Sequence, residues 1–282
     1  MTAAGASSAG CLEGQVVVIT GASTGIGAAA AEALAGAGAQ LALVGRSPEK
    51  TAAVAGRLRA TPFVCDFARF DQVRRLAEDL SARYERIDVL ANNAGLLSRY
   101  REVTPDGHEL TFQVNHLAPF LLTNLLLPRL GTGARVIQTS SRAQHLGRVD
   151  KADLEAGRRY RAFPVYGTTK LENVLFTREL QRRHGDRGLS AVAFHPGTVR
   201  TEFNRRGGAV NLLYNTPVGN LVLLTPAQGA DTLVWLATSA PGRDFVPGGY
   251  YARRRPSRPA RQADDLDLAA WLWERSAELV GL

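Results

Sequence analysis

Apolar residues along this chain fall into two alternating patterns. Short strand-like runs occupy 16–20, 41–45, 62–66, 87–91, 135–139 and 190–195, with Val16–Ile19 continuously apolar, and longer stretches with helical spacing lie at 25–37, 70–84, 108–129 and 166–184. A run with no polar position on either face, such as Val16–Ile19, fits a strand buried on both sides, as in the centre of a parallel sheet. Alternation of such strands with helices predicts an α/β fold, one domain with a doubly wound parallel sheet wrapped on both faces. A last amphipathic helix is expected at about 264–280, with Leu266, Ala270, Trp273, Ala277 and Val280 on a stripe that serves as core or dimer contact. Residues 1–14 are rich in small residues, lack periodicity and read as a flexible arm ahead of a domain over 15–282. No internal repeat is visible.

The joint between the first run and the first helix carries the first chemical signal. Gly21, Gly25 and Gly27 follow the strand, and an Ala-rich helix follows them. Strand, glycine turn and helix N-terminus make a phosphate cradle, because the backbone can approach closely and the first helical N–H groups are free. The spacing is G-x-x-x-G-x-G, and a glycine triplet alone also fits an ordinary turn. The second run ends in Val44-Gly45-Arg46-Ser47. An NAD site usually places a carboxylate there for the ribose 2′-hydroxyl. Here none stands, and a guanidinium such as Arg46 suits a 2′-phosphate. The missing acid is the firmer half of that reading, since the chain is rich in Arg.

Tyr166 and Lys170 stand four apart in Tyr-Gly-Thr-Thr-Lys, on one face of a helix. A phenol is a poor acid or base at neutral pH, and a nearby cation favours its phenolate. The pair suits a general acid that gives a proton to a carbonyl oxygen or takes one from an alcohol. Taken alone, it also fits a half-buried Tyr and a solvated Lys. Ser140-Ser141 ends the run at 135–139, at the carboxyl edge where open α/β sheets bind ligands, although two serines can equally start a loop. Asn115 lies in an apolar helical stretch and needs hydrogen-bond partners, with structural satisfaction as the default reading. Asn92-Asn93-Ala94-Gly95 after an apolar run also fits a turn.

Thr20-Gly21-Ala22-Ser23-Thr24-Gly25-Ile26-Gly27, Cys65-Asp66-Phe67, Asn92-Asn93-Ala94-Gly95, Asn115, Ser140-Ser141, Tyr166-x-x-x-Lys170 and Pro196-Gly197-Thr198-Val199-Arg200-Thr201 together resemble the short-chain dehydrogenase/reductase family, in its order and spacing. The stretches from Asn115 to Pro128 and from Tyr166 to Leu180 resemble its retinol-dehydrogenase-like branch. The resemblance implies a Rossmann-type fold, an NADP(H) cofactor and a set of roles. Tyr166 would be the acid/base, and Ser141 would bond the substrate oxygen. Lys170 would bond the nicotinamide ribose and lower the tyrosine pKa. Asn115 would support a water that relays protons to Lys170. Asp66 would bond the adenine, Asn93 would hold the strand end, and Val199 and Thr201 would contact the carboxamide. Gly21, Ser23, Thr24, Gly25, Ile26, Gly27, Arg46, Phe67, Ala94, Gly95, Pro196 and Gly197 would complete the cofactor contacts. Thr169 replaces the usual Ser before the lysine, a change expected to matter little. The segment at about 202–225 would be the substrate loop. The implied reaction interconverts a ketone or aldehyde with an alcohol. The rival readings are non-redox chemistry on the same cofactor (dehydration, epimerisation, cyclisation) and a nucleotide-sensing regulator without catalysis.

Bulk properties narrow the rest. The formal charge is +8, from 34 Lys and Arg against 26 Asp and Glu, yet only Lys50, Lys151 and Lys170 are lysines. The densest basic run, Arg253-Arg254-Arg255-Pro256-Ser257-Arg258, comes with no nucleic-acid motif and reads as a solvated loop near the substrate cleft. Partners are thus a small carbonyl or alcohol and a second copy or more of the chain (homodimer or homotetramer), with no nucleic acid. No run of ~18 apolar residues exists, and Met1–Gly10 lacks the pattern of a signal peptide, so neither a membrane span nor the anchor of membrane-bound relatives is expected. The five His do not pair at metal-ligand spacing, and Cys11 and Cys65 are placed poorly for a disulfide, which fits a reducing cytoplasm.

Overall fold

The structure is a computed structural model of the 282-residue chain, and it describes residues 11–199 and 224–282. The elements in chain order are β1 (Val16–Thr20), α1 (Gly25–Gly36), β2 (Gln40–Gly45), α2 (Pro48–Leu58), β3 (Thr61–Val64), α3 (Phe70–Arg83), β4 (Val89–Asn92), α4 (Leu110–Phe112), α5 (Ala118–Leu126), β5 (Arg135–Thr139), α6 (Ala162–His184), β6 (Ser190–His195), α7 (Pro226–Thr238), β7 (Tyr250–Ala252), β8 (Arg255–Pro256) and α8 (Leu266–Val280). The sheet order is β3-β2-β1-β4-β5-β6-β7-β8. Every pairing is parallel except the terminal β7–β8 hairpin. The chain winds outward from β1 to β3 and crosses back through α3 to β4, so the strand order reverses between β1 and β4. Ligands of open α/β sheets bind at the carboxyl edge of such a switch point.

Strand residues divide between two layers because successive side chains point to opposite faces. Val17 and Ile19 pack under α1, α2 and α7, with Leu34, Val54 and Leu233. Val16 and Val18 belong to the opposite core with Leu80 of α3, Phe120 of α5, Phe176 of α6 and Trp273 of α8. Unbroken apolar runs are therefore what these strands require.

Several sequence expectations need correction. The helix α2 was not anticipated: its apolar content is thin, but Ser47 caps it by accepting from Lys50 N at 3.3 Å, and Pro48 opens it. Nor was α7, which starts at a capping box, with Thr225 Oγ1 accepting from Gln228 N and Gln228 Oε1 accepting from Thr225 N. The hairpin β7–β8 was missed as well. The stretch expected as one helix at 108–129 is four pieces, with a π-helical turn, Gln113–Leu117, between α4 and α5 and a 3-10 turn, Leu127–Arg129, after α5. On α8 the buried stripe is Leu268, Ala269, Leu272, Trp273, Ser276 and Val280, and Leu266 is exposed. That stripe is core, with the Trp273 ring centred 5.6 Å from Phe176 and 5.0 Å from Phe120.

The arm expected over 1–14 is part of the fold at its end. Leu12 is 1% exposed, and its N–H donates to Ala37 O at 3.0 Å. Residues 1–10, Thr201 and nearly all of the expected substrate loop at 202–225 lie outside the described residues. Cys11 and Cys65 are both free thiols. Among the described residues no helix is long and apolar enough to cross a membrane.

Candidate active site

The glycine turn after β1 fits a nucleotide's phosphates. A Cβ on Gly27 would run into the Gly21 carbonyl oxygen, so helix α1 starts in direct contact with the turn it leaves. Thr24 caps α1 without a side-chain bond, and no acid sits in the first turn. The first N–H groups of α1 are thus left for an external anion. Ser23, Thr24, Gly25 and Ile26 are half-buried around that end. Arg46 is exposed just past β2, and Val44–Ser47 carries no carboxylate. The nearest acid, Glu49, accepts from Ser47 Oγ at 2.9 Å.

The ends of β3 and β4 close the cofactor side. Asp66 Oδ1 accepts from Ala68 N at 3.0 Å, and its own N–H donates to Gln72 Oε1. The Phe67 ring goes into the core, which leaves its backbone facing the edge. Buried Thr20 ties two strand ends together: its Oγ1 accepts from Asn93 N and Ala94 N, both at 2.9 Å. Asn93 Nδ2 donates in return to Thr20 O at 3.0 Å. Gly95 packs against two of the candidate site residues, because a Cβ there would lie 3.1 Å from Asn115 Oδ1 and 3.3 Å from Lys170 Nζ.

Asn115 sits in the π-helical turn with its side chain fully used. Its Oδ1 accepts from Leu96 N at 2.8 Å, and its Nδ2 donates to Leu96 O at 2.9 Å and to Thr169 Oγ1 at 3.0 Å. Pro119, four residues on, has no N–H, so the Asn115 carbonyl lacks the donor that an α-helix would supply. Thr169 Oγ1 donates to Tyr166 O at 2.8 Å, which couples the Asn115 clamp to the turn that carries Tyr166. The hydroxyl is what this position uses, and threonine keeps it.

Lys170 is 3% exposed. Its Nζ donates to Thr139 O at 3.1 Å and lies 5.4 Å from the centre of the half-buried Tyr166 ring. Burial holds the ammonium down to about 8. The two serines separate by role: Ser140 is buried and donates to Lys170 O at 2.7 Å, whereas Ser141 is half-buried and accepts from Ala143 N at 3.2 Å. Ser141 keeps its proton for another acceptor. The short turn Arg142–Leu146 that it starts packs directly on α6, since a Cβ on Gly167 would strike Ala143 O. That contact fixes Ser141 against the helix of Tyr166. Past β6, Gly197 has φ of 91° and Val199 bridges to Leu224. A Cβ on Gly229 of α7 would meet both Val199 and Ile26, so α7 fastens the loop at Pro196 to the start of α1. Among the described residues no group of His, Cys, Asp or Glu could hold a metal ion.

His195 was not singled out from sequence, and neither Thr20 nor Thr169 was given a bonding role there. Each is an ordinary polar residue at a strand end or in a helix, and only the fold shows what it bonds.

The short chain dehydrogenase family model matches residues 15–209. The chain belongs to that family. It is similar over its length to a candidate daunorubicin C-13 ketoreductase, DnrU, of Streptomyces sp. (strain C5), with 48% identity over 279 residues, 96% of this chain and 94% of that protein. Human retinol dehydrogenase 13 is 37% identical over 285 residues, 96% of this chain and 86% of that protein. These relatives place the dehydrogenase in the retinol-dehydrogenase-like branch. Among solved structures, a protein from Mycobacterium paratuberculosis matches with TM-score 0.78 and 34% identity, over 95% of this chain and 94% of that one. A blue fluorescent protein from a metagenomic library, in complex with NADPH, matches with TM-score 0.68 and 28% identity over 86% of this chain and 96% of that one. The Rossmann-type sheet is shared with both.

Proposed function

We propose that this dehydrogenase uses NADP(H) to interconvert a ketone or aldehyde with an alcohol, with Tyr166 as its acid/base. The observation that carries the reading is the buried Lys170 ammonium, held by Thr139 O beside the Tyr166 ring and against Gly95 and Asn115. A desolvated cation next to a phenol stabilises the phenolate, which is what a tyrosine acid needs. A site that only senses a nucleotide has no use for it.

When bound, NADPH supplies the hydride that reduces the carbonyl carbon. Ser141 donates its hydroxyl proton to the carbonyl oxygen and stabilises the charge that grows there. Tyr166 delivers its phenolic proton to the same oxygen. Lys170 steadies the resulting phenolate and holds the nicotinamide ribose. Reprotonation of Tyr166 draws on a water at the Asn115 carbonyl, whose helical donor Pro119 removes. Asp66 receives the adenine, and Asn93 keeps β4 in register beside it. Gly21, Ser23, Thr24, Gly25, Ile26 and Gly27 cradle the pyrophosphate, Arg46 grips the 2′-phosphate, and Pro196, Gly197, Val199 and Thr201 seat the carboxamide. The relatives named for daunorubicin and for retinol support bulky, ring-bearing carbonyls or alcohols as the substrate class. Two free thiols support a reducing, cytoplasmic setting.

The test is NADPH oxidation, followed at its absorbance band, with retinaldehyde, an anthracycline C-13 ketone and a panel of aryl ketones. Turnover that disappears in Tyr166→Phe supports the reading. Turnover that persists in that variant, or product formation without net cofactor oxidation, would sink it in favour of non-redox chemistry.

A further inference from the structure

We propose that Arg142 and Arg253 form an anion-recognition subsite at the mouth of the active site, which selects carbonyl substrates that carry a carboxylate. This rests on the oxidoreductase reading above and narrows its substrate class.

The two arginines meet through His195. Arg142 directly follows Ser141, and its backbone N–H donates to His195 Nδ1 at 3.4 Å. His195 ends β6 and pairs in register with Ala252, and Arg253 is the next residue along. Both arginines therefore stand on backbone next to one buried imidazole at the carboxyl edge of the sheet, beside the serine that would bond the substrate oxygen. Their positive charge acts on that ring. Burial, then Arg142 and Arg253, hold the His195 imidazole down to about 4, with no carboxylate acting in the opposite sense. His195 is neutral at physiological pH. Its Nδ1 accepts, so the ring proton sits on Nε2. The cluster presents positive charge and N–H donors without a balancing acid.

Neighbouring arginines do have partners. Arg254 grips Asp231 through two nitrogens, Arg243 holds Asp244, and Arg178 holds Asp264. Arg142 and Arg253 are exposed and form no ion pair among the described residues. Nor is Arg253 loosely placed. Arg253 and Arg254 both adopt the left-handed region, with φ of 52° and 59°, which non-glycine residues enter only at a cost. Arg254 sustains that turn through Asp231 and through its N–H to Thr232 Oγ1 at 3.3 Å, both on α7. The hairpin thus anchors one arginine and presents the other. The 2′-phosphate of a cofactor cannot be its target. Arg46 follows β2, four strand spacings from β6, or roughly 19 Å at ~4.8 Å per strand.

The experiment compares aryl keto acids with their methyl esters, over graded spacing between carbonyl and carboxylate, in the full-length enzyme. Charge-assisted bonds to a guanidinium predict an acid-over-ester preference of about tenfold or more in kcat/KM for the best-fitting spacing. Arg253→Ala and Arg142→Ala should each collapse that ratio, and Arg253→Lys should retain part of it. NADPH affinity, measured in every variant, reports that the fold is intact. Parallel calorimetry with 3-benzoylpropanoate separates the two readings. If no carbonyl turns over but the wild type binds this acid and Arg253→Ala does not, the subsite stands and the redox reading falls. If ketones turn over but no matched pair shows an acid preference, or both arginine variants keep the wild-type ratio, the subsite is refuted and the redox reading survives.

Discussion

The two regions of the sheet proposed to hold cofactor and substrate are built by different means. From β1 to β4 the edge is built of backbone: glycines that leave no room for a Cβ, free N–H groups at the start of α1, and strand ends fastened by Thr20 and Asn93. From β5 to β7 it is built of side chains: Ser141, Tyr166, Lys170, His195 and the arginines around them. A backbone cradle recognises what all dinucleotides share. Side chains recognise what distinguishes one reaction, or one substrate, from another. The two regions should accordingly fail separately when mutated.

The largest separation is expected from Tyr166→Phe. It removes one hydroxyl and keeps the ring, so NADPH affinity should persist while kcat falls ~10²–10⁴-fold. Near wild-type kcat with intact cofactor binding would break the division of labour. On the cofactor side, Arg46→Asp should shift preference from NADP(H) toward NAD(H) by roughly tenfold to a hundredfold in affinity, as measured by titration of both cofactors. Equal or tighter NADH binding in the wild type would remove the premise.

A glycine from each region makes a sharper pair. Gly27→Ala forces a methyl into Gly21 O and should weaken NADPH binding. Gly167→Ala pushes on Ala143 O, so it should displace Ser141 and lower kcat with cofactor affinity nearly unchanged. If both variants lose cofactor affinity equally, the two regions are not independent.

Lys170 gives a pH test. Its folded pKa, about 8, lies below its unfolded value of about 10.5. Between those values the unfolded chain binds more protons, so its contribution to stability rises with pH across that window, by at most ~3 kcal/mol. Below about 8 the buried ammonium is charged in both states, and the cost is present in full. Denaturant melts of the cofactor-free protein should show this rise, and Lys170→Met should flatten it.

The smallest effect should come from removal of Met1–Gly10, which is too poor in apolar residues to bury much surface. Melting temperature and activity should hardly change. A truncation that also removes Leu12 should cost about 1.5–3 kcal/mol, because that side chain is buried under α1. A large loss from the shorter truncation would show that the first ten residues dock.

The sequence revealed β1 because burial on both faces leaves an unbroken apolar run, and the glycine cradle because only glycine fits it. It also placed Asn115, Ser141, Tyr166 and Lys170 at edges the fold brings together. What escaped has a common physical cause. Helices α2 and α7 are announced by caps, Ser47-Pro48 and Thr225-Pro226-x-Gln228, more than by apolar periodicity. The π-helical turn around Asn115 differs from an α-helix by one hydrogen-bond register, which side-chain spacing does not report. Thr20 and Thr169 act through bonds to residues distant in sequence. The division of Ser140 from Ser141 depends on which hydroxyl faces Lys170 O.

The strand order also governs how the chain can assemble during synthesis. β1 precedes the other described strands along the chain, yet it lies inside the sheet, between β2 and β4. Its pairing to β2 is available early. Its other edge stays open until Asn92 has emerged, on the order of seconds later at ~5–20 residues per second. For that interval an apolar strand displays unsatisfied backbone groups along one side. The nascent chain therefore passes through a stage in which a strand buried inside the finished sheet has one edge open, and the arrival of β4 closes it.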